Sequence, residues 1–259
     1  MISINILFPV LNEHKRLKNG IENTVRYLNE YLSSHSDVDY VCTILDNGSD
    51  DDTPDIGKAL EEKHPGIVKY VRIEQRGVGI AFKTGVLENE ADIVGYMDID
   101  LSTDISTLGH AIELFQSDSS LEYINGTRFA KGSKTIGRKW YRKITSAGLV
   151  FLLRNALKMK CTDGICGFTF IRKDVAEKLV KEAGEDKGWF YMIELLLRAE
   201  RAGVNILDLP VTFTENYDTT VDVKKTIKNY VINIRRLRKV FKAEDKYDKK
   251  DRLSMKYKA

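Results

Sequence analysis

Along the first hundred positions, short apolar runs alternate with polar turns. Ile2-Ser3-Ile4-Asn5-Ile6-Leu7-Phe8-Pro9-Val10 predicts a β-strand stopped by Pro9, and Leu11-Asn12-Glu13 opens a pattern with Ile21, Val25, Leu28 and Leu32 at helical spacing. The unit repeats. Tyr40 to Leu45 predicts a strand, Asp46 to Asp52 a tight polar turn, and Thr53-Pro54 an N-cap with proline at the first helical position. A third strand over Ile67 to Ile73 leads through Glu74-Gln75-Arg76-Gly77-Val78-Gly79 into a short helix carrying Ala81, Val86 and Leu87. A fourth strand covers Ile93 to Met97. This alternation predicts an α/β fold, a Rossmann-like, mostly parallel sheet with helices on both faces. Ligands then bind outside the carboxyl ends of the strands, where every one of these polar turns lies.

The fourth strand runs into Asp98-Ile99-Asp100, and period-two alternation would point both carboxylates the same way. Two hard oxygen ligands suit Mg²⁺ or Mn²⁺, since diphosphate oxygens and water complete the coordination of either ion. Taken alone, the stretch also reads as an acidic turn capping a helix that starts near Thr103 or Asp104.

A helix over Ile105 to Gln116 and a strand over Leu121 to Asn125 follow, the strand ending in Gly126-Thr127-Arg128 at the same sheet edge. Lys131 to Lys134 reads as a mobile basic segment. In the helical run from Arg138 to Lys158, Arg138, Arg142 and Ser146 share a face, while Ile144, Leu149, Leu152, Leu153 and Ala156 supply apolar surface. Such a face is either solvated or an anion site, and clustered arginines suit phosphate geometry. Gly77-x-Gly79 lacks the third glycine of a dinucleotide fingerprint; it lets the backbone approach a nucleotide or starts a helix tightly.

Asp163 to Phe170 predicts a turn into a short strand, with a helix from Asp174 after it. Trp189 to Leu197 is a nearly all-apolar helix embedding Glu194, a carboxylate that needs a partner. Val204 to Val211 predicts a late strand. From Val223 to Phe241 an apolar stripe through Ile227, Tyr230, Ile234 and Leu237 is flanked by lysines and arginines, fitting a helix packed on the domain, a helix at a membrane interface, or both in part. The simplest partition is a catalytic domain over 1–222 and a basic amphipathic helix with a charged tail over 223–259.

With 259 residues, 42% of them hydrophobic, the chain can bury a substantial core. A net charge of +3 is too small to point to nucleic acid, although basic residues crowd into 131–160 and 224–250 and acidic ones into 46–55 and 98–104. Cys42, Cys161 and Cys166 show neither disulfide nor zinc spacing. A first segment that reads as a strand, and no apolar run near the ~20 residues that span a bilayer, lead to the expectation of a cytoplasmic protein, peripheral on the cytoplasmic face of a membrane.

Taken in order, Phe8-Pro9-Val10-Leu11-Asn12-Glu13, Leu45-Asp46-Asn47-Gly48-Ser49-Asp50-Asp51, Gln75-Arg76-Gly77-Val78-Gly79 with Lys83-Thr84-Gly85, and Asp98-Ile99-Asp100-Leu101-Ser102 resemble the signature of inverting family-two glycosyltransferases with the GT-A fold. Gly126-Thr127-Arg128, Asp163-x-x-Cys166-Gly167-Phe168, Trp189-Phe190 with Glu194-Leu195-Leu196, and Gly203 to Val211 extend the likeness to the polyprenyl-phosphate branch: dolichyl-phosphate mannose synthases, glucosyltransferases and bacterial relatives.

The resemblance implies that Pro9, Leu11, Glu13, Ile44 and Asp46, with Asp98 and Ile99, bind the nucleotide sugar. It implies that Asp98, Asp100 and Ser102 surround the metal, and that Arg128, Arg142 and Ser146 hold the acceptor phosphate and, with Asp100, carry catalysis. The implied reaction moves a hexose from a nucleotide sugar to a polyprenyl phosphate at a membrane surface. An ionised phosphate acceptor needs no strong general base. The chain departs from the pattern at Asn47, which stands in place of a second acid, at Met192, and in the loop Thr214 to Asp222. That loop lacks the basic residues that clamp the donor diphosphate in mannose synthases, unless Lys224 or Lys225 folds back. This places UDP-glucose or another UDP-hexose ahead of GDP-mannose. The alternatives are a same-fold enzyme acting on a saccharide or protein hydroxyl, a sugar nucleotidyltransferase, and a non-catalytic binding module.

Overall fold

The computed structural model describes residues 1–35, 37–184, 186–216 and 223–256, with the side chains of 223–225 and 248–256 left out. In chain order the elements are β1 (Ile2–Val10), α1 (Leu17–Leu32), β2 (Val38–Asp46), α2 (Thr53–Lys63), β3 (Val68–Arg72), α3 (Val78–Leu87), β4 (Ile93–Met97), α4 (Ser106–Ser117), β5 (Tyr123–Thr127), β6 (Lys134–Ile136), α5 (Trp140–Leu157), β7 (Phe168–Arg172), α6 (Lys173–Glu182), α7 (Phe190–Ala202), β8 (Ile206–Pro210), β9 (Thr212–Thr214) and α8 (Val223–Lys256).

Seven strands form one sheet in the order β3-β2-β1-β4-β7-β5-β8, and every pairing is parallel except those of β7, which runs antiparallel to β4 and β5. Both faces are covered. In β1, Ile4, Ile6, Phe8 and Val10 join a core with α1 (Leu17, Ile21, Val25, Leu28) and α4 (Leu108, Ile112, Phe115), whereas Leu7 faces a second core built from α3, α5, α6, α7 and α8. Alternation along one strand thus feeds two layers.

Pro9 does not end β1. Pairing with β4 stops at Leu7 opposite Tyr96, so beyond it β1 bonds only to β2, through Val10 opposite Asp46. The missing proline N–H falls where one side of the strand is already open. Since β2 and β4 flank β1 and the strand order reverses there, the gap beyond β1 and β4 is the switch point at which open α/β sheets bind ligands.

Two further segments differ from the pattern-based expectation. The segment expected to be mobile continues into β6, which pairs in parallel with β9. Three-residue strands carry too little alternation to stand out. The Gly77–Gly79 turn is approached by protein: a Cβ on Gly77, whose φ is 144°, would lie 2.1 Å from the Lys187 carbonyl oxygen. These glycines let the 186–187 loop sit on the start of α3.

At the C-terminal end, α8 buries Ile234, Leu237 and Phe241 in the second core. Glu194 of α7 is fully buried and binds Arg236 of α8, Arg198 (3.0 Å) and the Gly184 N–H (2.9 Å). From Ile234 onward the stripe therefore packs on the domain, while Ile227 stays exposed. The boundary expected between residues 222 and 223 falls beside 217–222, outside the described residues, as do the side chains of Lys224 and Lys225.

Candidate active site

The acid pair lies beyond its strand. β4 ends at Met97, and Asp98, Ile99 and Asp100 occupy a turn closed by the Leu101 N–H on the Asp98 carbonyl (3.1 Å), with Leu101 at φ 51°. The turn, not strand alternation, sets the two carboxylates near one another. Burial pushes the Asp98 carboxyl up to about 6; the Tyr96 hydroxyl, donating to its Oδ1 at 2.6 Å, opposes this, and the Asp100 charge adds to it. Asp100 Oδ1 accepts the Ser102 N–H at 3.0 Å, and its Oδ2 lies 3.9 Å from Arg16 Nη1. Ile99 is buried against Gly20 of α1, so it anchors the turn instead of lining the opening.

On the other side of the gap, two loops are stitched together. The Asn12 N–H donates to Ser49 Oγ (2.9 Å), the Asp50 N–H to Asn12 Oδ1 (2.9 Å), and the Glu13 N–H to Thr53 Oγ1 (2.8 Å). Asn12 takes a left-handed conformation (φ 57°), which asparagine tolerates. Leu11 is partly exposed at the rim. The Glu13 carboxylate holds Arg16 through two bonds of 2.6 and 2.7 Å, bringing a guanidinium beside Asp100. Asp46 is fully buried and already engaged by the Ser49 N–H (2.8 Å), the Tyr70 hydroxyl (2.6 Å) and Arg72 Nη1 (3.0 Å). Ile44 lies wholly in the first core. Asp46 and Ile44 thus back this side of the gap from within, while Pro9, Leu11 and Glu13 are only partly buried at its edge.

The arginines gather on the far side. Arg128 follows β5 and is clamped by Asp163, with bonds of 2.7 Å from Nε and 3.0 Å from Nη2. Arg138 precedes α5 and donates from Nη2 to Ser146 Oγ (2.6 Å) and to the Arg142 carbonyl (3.3 Å). Arg142, on the first turn of α5, donates to Glu215. Arg138, Arg142 and Ser146 therefore meet, and the Arg128 charge is near enough to be felt at Arg138. Backbone bonds join this group to the acid turn: Thr214 N–H to the Ser102 carbonyl (2.7 Å), Asp104 N–H to the Thr212 carbonyl (2.9 Å) and Glu215 N–H to the Ile136 carbonyl (3.0 Å).

Arg16, Tyr96 and Glu215 were not singled out by the sequence. Arg16 sits three residues after Glu13, a helical ion-pair spacing that was available as a signal. Glu215 had none beyond its place in a loop judged by the basic residues it lacks.

Among the described residues no three His, Cys, Asp or Glu side chains cluster as a metal cage. A Mg²⁺ or Mn²⁺ ion held by two carboxylates and a diphosphate needs no such cage. The Asp98–Asp100 pair fits that chemistry. Asp98 is destabilised in its charged form by burial, and Gly167 leaves room for its carboxylate, where a Cβ would come within 1.8 Å of Oδ2.

Residues 5–180 match glycosyl transferase family 2. Glycosyltransferase AglD of Haloferax volcanii is 27% identical over 226 residues, covering 87% of this chain and 35% of that protein. The dolichol-phosphate mannosyltransferase of Pyrococcus furiosus is 27% identical over 245 residues (92% of this chain, 64% of that one). The dolichyl-phosphate beta-glucosyltransferase ALG5C of Trichomonas vaginalis is 26% identical over 227 residues (85% and 66%). The chain thus spans between 35% and 66% of the length of these relatives. Among solved structures, glucosyl-3-phosphoglycerate synthase from Mycobacterium tuberculosis in complex with Mn²⁺ and UDP-glucose superposes with a TM-score of 0.67 at 18% identity, over 92% of this chain and 79% of that one. With the family match covering more than half of the chain and the mostly parallel sheet arranged as above, the protein belongs to glycosyl transferase family 2 and is an enzyme built on the GT-A fold.

Proposed function

We propose that the protein transfers a hexose, with inversion, from a nucleotide sugar to a polyprenyl phosphate at a membrane surface. UDP-glucose or another UDP-hexose stands ahead of GDP-mannose as donor. The observation that carries this reading is the placement of an acid turn and an arginine group on either side of β9, which bonds to the loops of both.

Asp98 and Asp100, with Ser102 beside them, would hold Mg²⁺ or Mn²⁺, which neutralises charge on the departing nucleoside diphosphate. Leu11 and Glu13 border the donor, and Arg16 adds a positive group beside Asp100. Arg142 and Ser146 orient the acceptor phosphate, with Arg128 fixed nearby. An oxygen of that phosphate attacks the anomeric carbon as the carbon–oxygen bond to the diphosphate breaks. A phosphate monoester is largely ionised at neutral pH, so no proton need be removed first. A hydroxyl acceptor would need a base. Glu215, the carboxylate facing the arginines, is ion-paired with Arg142 and Arg138.

The membrane location is supported by α5, whose outer arc exposes Trp140, Ile144, Phe151 and Leu152 beside the arginine group. Among the described residues no helix is long and apolar enough to cross a membrane. The test is transfer of labelled sugar from UDP-glucose and from GDP-mannose to a short-chain polyprenyl phosphate, with and without Mn²⁺, beside thermal shifts with UDP and GDP. Transfer that needs the phosphate monoester and the metal is expected. Equal transfer to the corresponding prenyl alcohol would overturn the reading.

A further inference from the structure

The arginine group already contains an anion. The Glu215 side chain is 8% exposed and gives one carboxylate oxygen to Arg142 Nη1; its other oxygen, Oε2, lies 3.7 Å from Arg138 Nε and has no hydrogen-bond partner. The Arg138 side chain is 4% exposed, and its Nε and Nη1 likewise have no hydrogen-bond partner. A buried guanidinium with two unused donors facing a buried carboxylate oxygen is an ion pair that has not closed. Such groups cost stability when left unsatisfied. Burial and the nearby Arg128 charge push the Arg138 pKa down, with the Glu215 and Asp163 charges opposing them.

Geometry explains the mismatch. Glu215 is held by its own backbone, through its N–H on Ile136 and the preceding Thr214 N–H on Ser102, so one carboxylate oxygen reaches Arg142 and the other stops short of Arg138. A phosphate monoester brings three terminal oxygens and about −1.5 to −2 charges. It can bond to Arg142 and to the spare edge of Arg138 together, where one carboxylate cannot.

We propose that Glu215 is an internal stand-in for the acceptor's phosphate, occupying its seat until a phosphate monoester displaces it and binds Arg142 together with Nε and Nη1 of Arg138. The inference rests on the acceptor reading above and adds a specificity device to it. A singly charged diester replaces one anion with another and gains little. A dianionic monoester gains the second arginine. Arg138 thereby becomes an acceptor-binding residue.

The experiment measures calorimetric binding of geranyl phosphate, inorganic phosphate and geranyl methyl phosphate to the wild-type chain, Glu215→Gln and Glu215→Gln/Arg138→Met, with UDP plus Mn²⁺ as a control. Glu215→Gln is expected to bind geranyl phosphate and inorganic phosphate about tenfold more tightly, the size of removing one competing charge-assisted hydrogen bond. The diester should gain least and UDP affinity should stay unchanged. Adding Arg138→Met should abolish the gain. Should Glu215→Gln fail to fold, Glu215→Ala is expected to show the same tightening. Unchanged or weaker monoester binding in a variant that still binds UDP would make Glu215 a structural latch and overturn the inference, leaving the acceptor reading intact. A gain for geranyl phosphate without one for inorganic phosphate would put the effect on the prenyl chain and overturn it too. Absence of geranyl phosphate binding in every UDP-binding protein would sink the acceptor reading and the inference with it.

Discussion

Arg128 and Asp163 meet through two nearly parallel bonds, 2.7 Å from Nε to Oδ2 and 3.0 Å from Nη2 to Oδ1, where neither side chain is more than 7% exposed. Asp163 also accepts the backbone N–H groups of Arg128 (3.2 Å) and Ile165 (3.1 Å). The carboxylate thus joins the end of β5 to the turn before β7. Asp163→Asn keeps the shape but leaves a buried guanidinium without its counter-charge, so it should cost about 3–5 kcal/mol in denaturant unfolding. The double variant Arg128→Met/Asp163→Leu should recover part of that stability while remaining inactive. Recovery of activity in the double variant would show that the pair serves only the fold.

Gly20 tests the anchoring of the acid turn. Replacing a mid-helix glycine by alanine ordinarily stabilises by about 1 kcal/mol. Here a Cβ would lie 2.2 Å from the Ile99 carbonyl oxygen and 2.8 Å from its Cδ1. Gly20→Ala is therefore expected to lower the melting temperature and to reduce transfer by at least about tenfold, by shifting Asp98 and Asp100 from outside the site. A stabilised variant with full activity would refute the link between α1 and the turn.

Glu194 yields a pH signature for the docking of α8. Burial alone would raise its pKa, but hydrogen bonds from Arg236 and the Gly184 N–H, with the Arg236 and Arg198 charges, hold it below the usual glutamate range. A depressed folded pKa contributes stability that is complete above about 4.5, the ordinary value, and fades as pH falls through the folded one. Glu194→Gln should thus lose about 3–5 kcal/mol at pH 7, the size of breaking a buried ion pair, with the gap to wild type narrowing below about pH 4.5. A gap independent of pH would place the effect in packing.

Much of this architecture was legible because its strands and helices are long enough for periodicity to show. The β1–α1, β2–α2 and β3–α3 units and the polar turns at their ends follow from apolar spacing alone. What escaped was set by tertiary contact. Pro9 stays within β1 because β4 has already ended opposite Leu7, a fact of pairing that no local propensity encodes. β6 and β9 are too short for alternation to mark them. Asp98 and Asp100 could be named, but their approach depends on a turn with a left-handed Leu101, not on the strand's two-residue repeat. Glu215 reaches the arginines because β9 pairs with a segment almost eighty residues earlier, and charge counting along one loop does not reveal that.

The same limit governs where the protein would meet a membrane. Helical spacing marks an apolar stripe on α8, yet its Ile234, Leu237 and Phe241 are buried in the second core, so only its first part, with Ile227, stays exposed. On α5 the inner face carries Val150, Leu153 and Leu157 into the core, while Trp140 (73% exposed), Ile144 (61%) and Phe151 (69%) share the opposite arc. Exposed Lys139 and Lys143 flank that arc, giving it the makeup of an interfacial helix drawn to anionic lipid. Burying one large apolar side chain contributes about 1.5–3 kcal/mol, so each of Trp140→Glu, Ile144→Glu and Phe151→Glu should lower partition onto anionic vesicles about tenfold or more. Affinity for UDP and the melting temperature should not change, because these side chains are exposed and lie outside both cores. Glutamate at Ile227 or Ile232, the exposed apolar positions of α8, should matter less. Vesicle binding that survives the α5 substitutions and fails on those of α8 would move the membrane contact to the C-terminal helix and leave the apolar arc beside Arg142 in need of a protein partner.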